Sequence, residues 1–326
     1  MVFLYVLILL VSFAALVKGA DIFVDGSSGL AKIFNVSSVI IGLTVVSIGT
    51  SLPELAVSSS AALQGANEIA VSNVIGSNLF NLLVVLGVCA VIHPVPVDNV
   101  IVKRDFPFSI ALTVLLLLAT CASSLFSGSV FSLGMEETAG IVSRVLAVVL
   151  LALIVCYIAF LIYDAKKHPV EESGDDEKIP LWKCVVFILV GLVLIVGGGK
   201  AVVFSAQEIA RAFGMSETLI GLTIIALGTS LPELVTSIVA AKKGEVALAV
   251  GNVVGSNIFN ILLILGVSAA IRPVEVVAAS VYDMAILLFV SLVVFVFSLT
   301  KRKILRWEGA FMLVCYAAST AFAIMR

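Results

Sequence analysis

The sequence predicts an all-α integral membrane protein of ten transmembrane helices, arranged as two inverted five-helix repeats. Three observations carry that reading: a composition too apolar for water, polar breaks that divide the chain into ten helix-length runs, and two halves that repeat each other. Of 326 residues, 61% are hydrophobic and 12% charged, whereas a soluble domain of this size is charged at about a quarter of its positions. Ten of the charged residues fall between Asp164 and Lys183, so the remainder is barer still. A spanning helix takes about 20 mostly apolar residues. Ten of them with their turns use nearly the whole chain, which leaves no room for a soluble catalytic domain and argues against an enzyme. A formal net charge of -2, with no basic cluster interleaved with aromatics, argues against nucleic acid.

Taken in order, the apolar runs lie near residues 2–24, 35–62, 70–92, 105–125 and 141–163, then 183–204, 215–241, 247–271, 281–300 and 307–325. The first run ends in small residues like a secretory signal. Its first basic residue is Lys18, however, so the positive n-region is missing and the run reads as a retained span. A polar turn at 64–68 separates the second and third runs, and Lys103 and Arg104 precede the fourth. The fifth ends where the only hydrophilic linker begins, DAKKHPVEESGDDEKIP at 164–180. Lys242 and Lys243 close the seventh, and Lys301, Arg302 and Lys303 close the ninth. The expected organisation is a first repeat over 1–163, a charged cytoplasmic linker over 164–182 and a second repeat over 183–326.

Residues 42–97 align without a gap to residues 221–276 at an offset of 179, with 32 of 56 pairs identical. The shared strings are GLT, GTSLPEL and GSN(L/I)FN, then LGV and a closing Pro94 or Pro273. A duplication is visible within the chain. Because each unit holds five spans, an odd number, the second copy enters the membrane from the opposite side, and the repeats are inverted. Cytoplasmic loops are enriched in Lys and Arg. Placing both termini outside puts 14 of the 19 basic residues inside, Lys18, Lys242 and Lys243 among them. The expected location is a cell membrane, plasma or inner, with the central linker cytoplasmic.

Each repeat sets Pro and Glu in an apolar run, Pro53 with Glu54 and Pro232 with Glu233. A carboxylate near the bilayer centre costs about 2.5 to 3.5 kcal/mol, and an interior proline about 3 kcal/mol in a helix. Proline cannot donate to the carbonyl four residues back, so oxygens near 47–50 and 226–229 are expected to be free for a ligand. Thr50, Glu54 and Ser58 share one helix face by spacing, as do Thr229, Glu233 and Ser237. The following helices add Asn73, Ser77 and Asn81, matched by Asn252, Ser256 and Asn260. These are oxygen donors without thiolate or imidazole, a set that suits hard cations such as Ca2+ or Na+. An ion pair is the bland alternative for the glutamates, but no basic residue lies between Ile33 and Val102 or between Ala212 and Ala241.

Other features read as structure. Cys89, Cys121, Cys156, Cys184 and Cys315 are spaced singly, without a CxxC, as small apolar filler. Gly197, Gly198, Gly199 and Lys200 mimic the end of a phosphate loop, but Ala201 stands where Ser or Thr is required, so close helix packing is the reading. Glu171, Glu172, Asp175, Asp176 and Glu177 lack the spacing of an EF-hand loop and read as a solvated segment.

The doubled GTSLPE followed by GSNLFN or GSNIFN resembles the paired signatures of the cation/calcium exchanger superfamily, and most closely its prokaryotic sodium/calcium exchanger branch. The resemblance extends over nearly the whole chain. It implies a Ca2+/Na+ antiporter that works by alternating access at a midplane site built around Glu54 and Glu233, with no cofactor and no obligate protein partner. It also implies that oxygens at Ser47, Thr50, Ser51, Ala226, Thr229 and Ser230 complete the metal sites, with Ser77, Asn81, Ser256 and Asn260 from the next helices. Some relatives, a potassium-dependent branch included, carry Asp where this chain has Asn260. The alternative within the fold is Ca2+/H+ antiport, although that branch carries a different motif around its glutamates. A passive cation channel is a further alternative. An intramembrane hydrolase would need its two carboxylates divided into acid and base, which a matched pair does not offer.

Overall fold

The computed structural model describes residues 2–66, 68–169, 179–215, 224 and 226–325. The acidic linker residues Glu171, Glu172, Asp175, Asp176 and Glu177 lie outside the described residues, as does much of the expected 215–241 span. Among the described residues, eight helices are long and apolar enough to cross a membrane: Val2–Phe34, Ile69–Ile92, Ile101–Phe126, Arg144–Lys167, Leu181–Ala212, Val246–Ile271, Ala278–Arg302 and Arg306–Met325. Counting Ser38–Thr50 and Leu52–Gln64 as one broken span gives nine. The chain divides into two compact units, one of residues 1–53 and 162–253, the other of 54–161 and 254–326.

In the first unit, Val2–Phe34 and Leu181–Ala212 pack antiparallel through small residues seven apart. A Cβ on Gly19 would lie 2.6 Å from Leu194 Cβ, one on Gly26 2.8 Å from the Cys184 carbonyl oxygen, and one on Gly198 3.0 Å from the Ser12 carbonyl oxygen. Without lipid-excluding hydrophobic force between helices, such backbone approach supplies the packing. It explains why the first helix runs past the boundary near residue 24. The Gly26-Ser27-Ser28-Gly29 string has the composition of a turn but is a packing face, with Gly26, Ser27 and Gly29 buried. It also bears out the packing reading of the glycine triplet at Gly198. Leu16, Ala20, Phe23 and Val24 join Ile195, Val202 and Val235 in one buried cluster.

A second close approach in this unit brings Gly42 against Gly251. A Cβ on Gly251 would sit 2.6 Å from the Val39 carbonyl oxygen and 3.1 Å from Gly42 Cα, and these are backbone atoms that no rotamer change can move. Overpacking of this kind costs about 1 to 3 kcal/mol. Gly251→Ala is therefore expected to lower the thermal midpoint of the detergent-solubilised protein by several degrees. Gly197→Ala, where a Cβ would meet nothing within 4 Å, is expected to leave it in place. Equal midpoints for the two variants would contradict the helix crossing.

The second unit corrects the all-α expectation with two short antiparallel ladders. Val95–Pro96 pairs with Lys303–Ile304, and Thr138–Val142 pairs with Val274–Val277 across a bulge at Thr138/Gly140. The cause is the proline near the end of each aligned segment, Pro94 and Pro273. A residue before proline is driven to extended backbone, and His93 and Arg272 both have φ -148°. Beyond Pro94 and Pro273 the chain alternates, with Val95 and Val97, then Val274 and Val276, buried around exposed Pro96 and Glu275. That is the strand period. Each strand following a repeat's third helix-length run pairs with a loop of the other repeat.

Candidate functional site

Both PE motifs sit where a helix restarts. Ser51, with φ -85° and ψ 6°, and Ser230, with φ -93° and ψ 7°, leave helical geometry almost identically, and new helices begin at Leu52 and Leu231. Pro53 and Pro232 are each the second residue of the new helix, not interior ones. There the missing N–H has no intrahelical partner to lose, so the interior-proline cost is not incurred. Glu54 and Glu233 fall in the first turn, where the unpaired N–H groups of the helix end favour negative charge. The expectation of wholly free carbonyls is also corrected. This holds for the first repeat, where the Ser47 carbonyl accepts from Ser51 N–H at 3.1 Å and has Thr50 Oγ1 at 3.4 Å.

The first unit holds Ser47, Thr50, Ser51, Ala226, Thr229, Ser230 and Glu233. Glu233 is 1% exposed. Its Oε1 accepts from Ser51 Oγ at 3.0 Å, while Oε2 has no hydrogen-bond partner among the described residues. No Lys or Arg pairs with Glu233 among those residues. Thr50 Oγ1 lies 3.0 Å from Asn252 Oδ1, and Asn252 Nδ2 donates to Ser237 Oγ at 3.0 Å. The single proton of Thr50 has two other acceptors in reach, the Val46 carbonyl at 3.1 Å and the Ser47 carbonyl at 3.4 Å. Thr229 Oγ1 is buried without a partner among the described residues. Ser47 and Ser230 are buried, and Ala226 opens the short helix Ala226–Gly228.

The second unit holds Glu54, Ser77, Asn81, Ser256 and Asn260. Glu54 is 1% exposed, and its Oε1 accepts from Ser77 Oγ at 3.4 Å. Asn73 Nδ2 donates to the Glu54 carbonyl at 3.3 Å and to Ser58 Oγ at 2.9 Å, which ties the third run to the start of the broken helix. Ser256 is fully buried.

Two asparagines outside the predicted set complete this unit's polar centre. Asn260 Nδ2 donates to Asn78 Oδ1 at 2.9 Å, and Asn81 Nδ2 donates to Asn257 Oδ1 at 3.2 Å. Asn78 Nδ2 in turn donates to the Asn257 carbonyl at 3.2 Å, and Asn257 Nδ2 to the Asn78 carbonyl at 3.5 Å. One amide hydrogen each of Asn81 and Asn260 is thereby held, and their Oδ1 atoms remain without a donor among the described residues. Both residues open a π-helical turn, Asn81–Val85 and Asn260–Ile264, a distortion found often at functional sites. Asn78 and Asn257 were readable as the third letter of the doubled GSN string. Each lies three residues before the terminal Asn of its string.

The chemistry of these atoms is uniform. Among the described residues no three His, Cys, Asp or Glu side chains cluster. What each unit offers is one buried carboxylate with hydroxyl or amide oxygens, several of them acceptors lacking a donor among the described residues. A buried acceptor left unpaired costs about 1 to 3 kcal/mol. A hard cation satisfies such oxygens directly.

Comparison with known proteins agrees with the chemistry. The family profile described as sodium/calcium exchanger protein matches residues 4–163 and 183–325. The sodium/calcium exchanger MaX1 of Methanosarcina acetivorans is 33% identical over 339 residues, covering 96% of each chain. The inner membrane protein YrbG of Escherichia coli is 35% identical over 300 residues, covering 88% of this chain and 86% of that protein. A solved structure of the sodium-calcium exchanger NCX_Mj, soaked with 10 mM Na+ and zero Ca2+, superposes with a TM-score of 0.82 at 33% identity. The match covers 98% of this chain and 99% of that one.

Proposed function

The chain belongs to the sodium/calcium exchanger protein family, and from that premise we propose that it is a membrane antiporter exchanging Ca2+ for Na+, with Glu54 and Glu233 as the carboxylates that hold the ions. The observation that carries the residue assignment is the set of buried acceptor oxygens without donors among the described residues: Glu233 Oε2 and Thr229 Oγ1 in the first unit, Asn81 Oδ1 and Asn260 Oδ1 in the second. Apart from the carboxylate they are neutral oxygens. They can replace water around an ion without adding charge.

Two carboxylates neutralise one Ca2+ or two Na+, so either load enters a low-dielectric interior without net charge, and the two loads compete. That competition is what couples them. A third Na+ would leave one positive charge moved per cycle, worth about 2.3 kcal/mol per 100 mV. Ser51 holds Glu233 Oε1 by its hydroxyl, and Ser77 does so for Glu54. Each hydroxyl fixes one carboxylate oxygen by donating. When an ion binds, the same hydroxyl can turn its oxygen toward the ion. The inverted repeats supply the alternation, because two halves of opposite orientation expose the ions to opposite sides in turn. The basic-residue count supports termini outside and the linker in the cytoplasm.

The test is 45Ca uptake into proteoliposomes. An outward Na+ gradient is expected to drive Ca2+ accumulation well above vesicles with equal Na+ on both sides, and an outward proton gradient in Na+-free buffer is not. Accumulation driven by protons alone would replace Na+ by H+ as the counter-ion and overturn the reading.

A further inference from the structure

Away from the glutamates, the first unit has a groove of about 590 Å³ between the first helix and Leu231–Lys242. Its floor is Ala14, Val17 and Val239, and its rim carries Lys18, Lys242 and Lys243. Two carboxylates stand against the three ammonium groups, Asp21 in the lining and Asp25 beside Lys243. Lys18 lies 2.5 Å from Asp21 Oδ2, and Lys243 lies 2.5 Å from Asp21 Oδ1 and 2.6 Å from Asp25 Oδ1. These pairs hold two lysines along one edge. Lys242 is exposed and has no ion pair among the described residues.

We propose that this groove binds the headgroup of an anionic phospholipid, with the upper part of an acyl chain against Ala14, Val17 and Val239. Three arguments select that occupant. The rim has more positive than negative charge, so it complements a phosphate. The floor is apolar, which gives nothing to a soluble anion and something to a lipid. The level is right: residues 2–17 carry no charge, Lys18 is the first, and Lys242 is the last residue of its helix. Apolar helix ends there and interfacial chemistry begins. The basic-residue count puts this face in the cytoplasm, where anionic lipids concentrate and basic pockets between helices take up their headgroups. The proposal does not depend on which ions the protein exchanges.

Native mass spectrometry of the whole protein, titrated with phosphatidylglycerol or with phosphatidylcholine of the same chains, tests it. One phosphatidylglycerol is expected to be retained in preference to phosphatidylcholine. At about five-fold per lysine near a membrane surface, Lys242→Gln should weaken retention about five-fold and the Lys18→Gln, Lys242→Gln pair about thirty-fold. Lys242→Arg should keep it. The Lys166→Gln, Lys167→Gln pair removes the same charge from the exposed end of another helix and should change nothing. Equal retention of both lipids, unchanged binding in the groove pair, or the same loss in the control pair would overturn the proposal. Displacement by soluble glycerophosphoglycerol at matched concentration would also overturn it, since the site would then recognise a free anion.

Discussion

Ca2+ transport is expected to be lost when either Glu54 or Glu233 is changed to glutamine. Glutamine keeps the volume and one carbonyl oxygen, so the protein should still elute from detergent as a folded species. It removes a full negative charge from a residue that is 1% exposed at either position. Two unit charges 4 Å apart at an effective dielectric of 20 interact by about 4 kcal/mol, and a divalent ion feels more than a monovalent one. Even half of that, at about 1.4 kcal/mol per tenfold, lowers Ca2+ affinity more than ten-fold. Because exchange needs the ion neutralised while it crosses, the turnover falls further than the affinity. Glu275→Gln, an exposed strand residue bonded to Thr138, is the matched control and should transport normally. Wild-type exchange by Glu54→Gln or by Glu233→Gln would sink the assignment.

The glutamates are legible in the sequence because a carboxylate in an apolar run violates the pattern around it, and the repeat shows the violation twice. Other features are not legible, for definite reasons. Periodicity runs straight through Ser51 and Ser230, because a single non-helical residue barely shifts it. The prolines therefore read as interior and the carbonyls behind them as free. The string Gly26-Ser27-Ser28-Gly29 has turn composition, and only the partner helix at Cys184 and Phe187 shows that small size is needed for contact. The ladders at Val95–Pro96 and Val274–Val277 are two and four residues long, shorter than an alternation needs to stand out beside a loop. Asn78 and Asn257 were hidden differently. They lie inside the doubled GSN string, but a helical asparagine can serve packing as readily as an ion, and the cross-bonding to Asn260 and Asn81 exists only in three dimensions.

That cross-bonding decides what Asn260→Asp should do. In the unmodified chain Asn260 Nδ2 donates to Asn78 Oδ1, while Asn78 Nδ2 is already committed to the Asn257 carbonyl. Aspartate has no N–H, so one of its oxygens would face the Asn78 oxygen with nothing between them. The arrangement is stable only if that oxygen carries a proton or the pair shares a cation. On the proposed assignment Glu54 and Glu233 already balance Ca2+, so the added charge is left over for a monovalent ion or a proton. Asn260→Asp is thus expected to shift the Na+ or K+ dependence of exchange several-fold and to make it sensitive to pH. The apparent Ca2+ affinity should change by less. The unmodified chain, with neutral Asn81 and Asn260, should exchange Ca2+ equally well when K+ is replaced by choline. Both proteins would be measured by Na+-driven 45Ca flux with K+ present and absent, at two pH values. A strict K+ requirement in the unmodified chain would mean that a further negative charge reaches the ions from elsewhere. If Asn260→Asp raised Ca2+ affinity and left the monovalent dependence unmoved, its carboxylate would be binding Ca2+ directly, and the asparagine pair would not be setting the monovalent load.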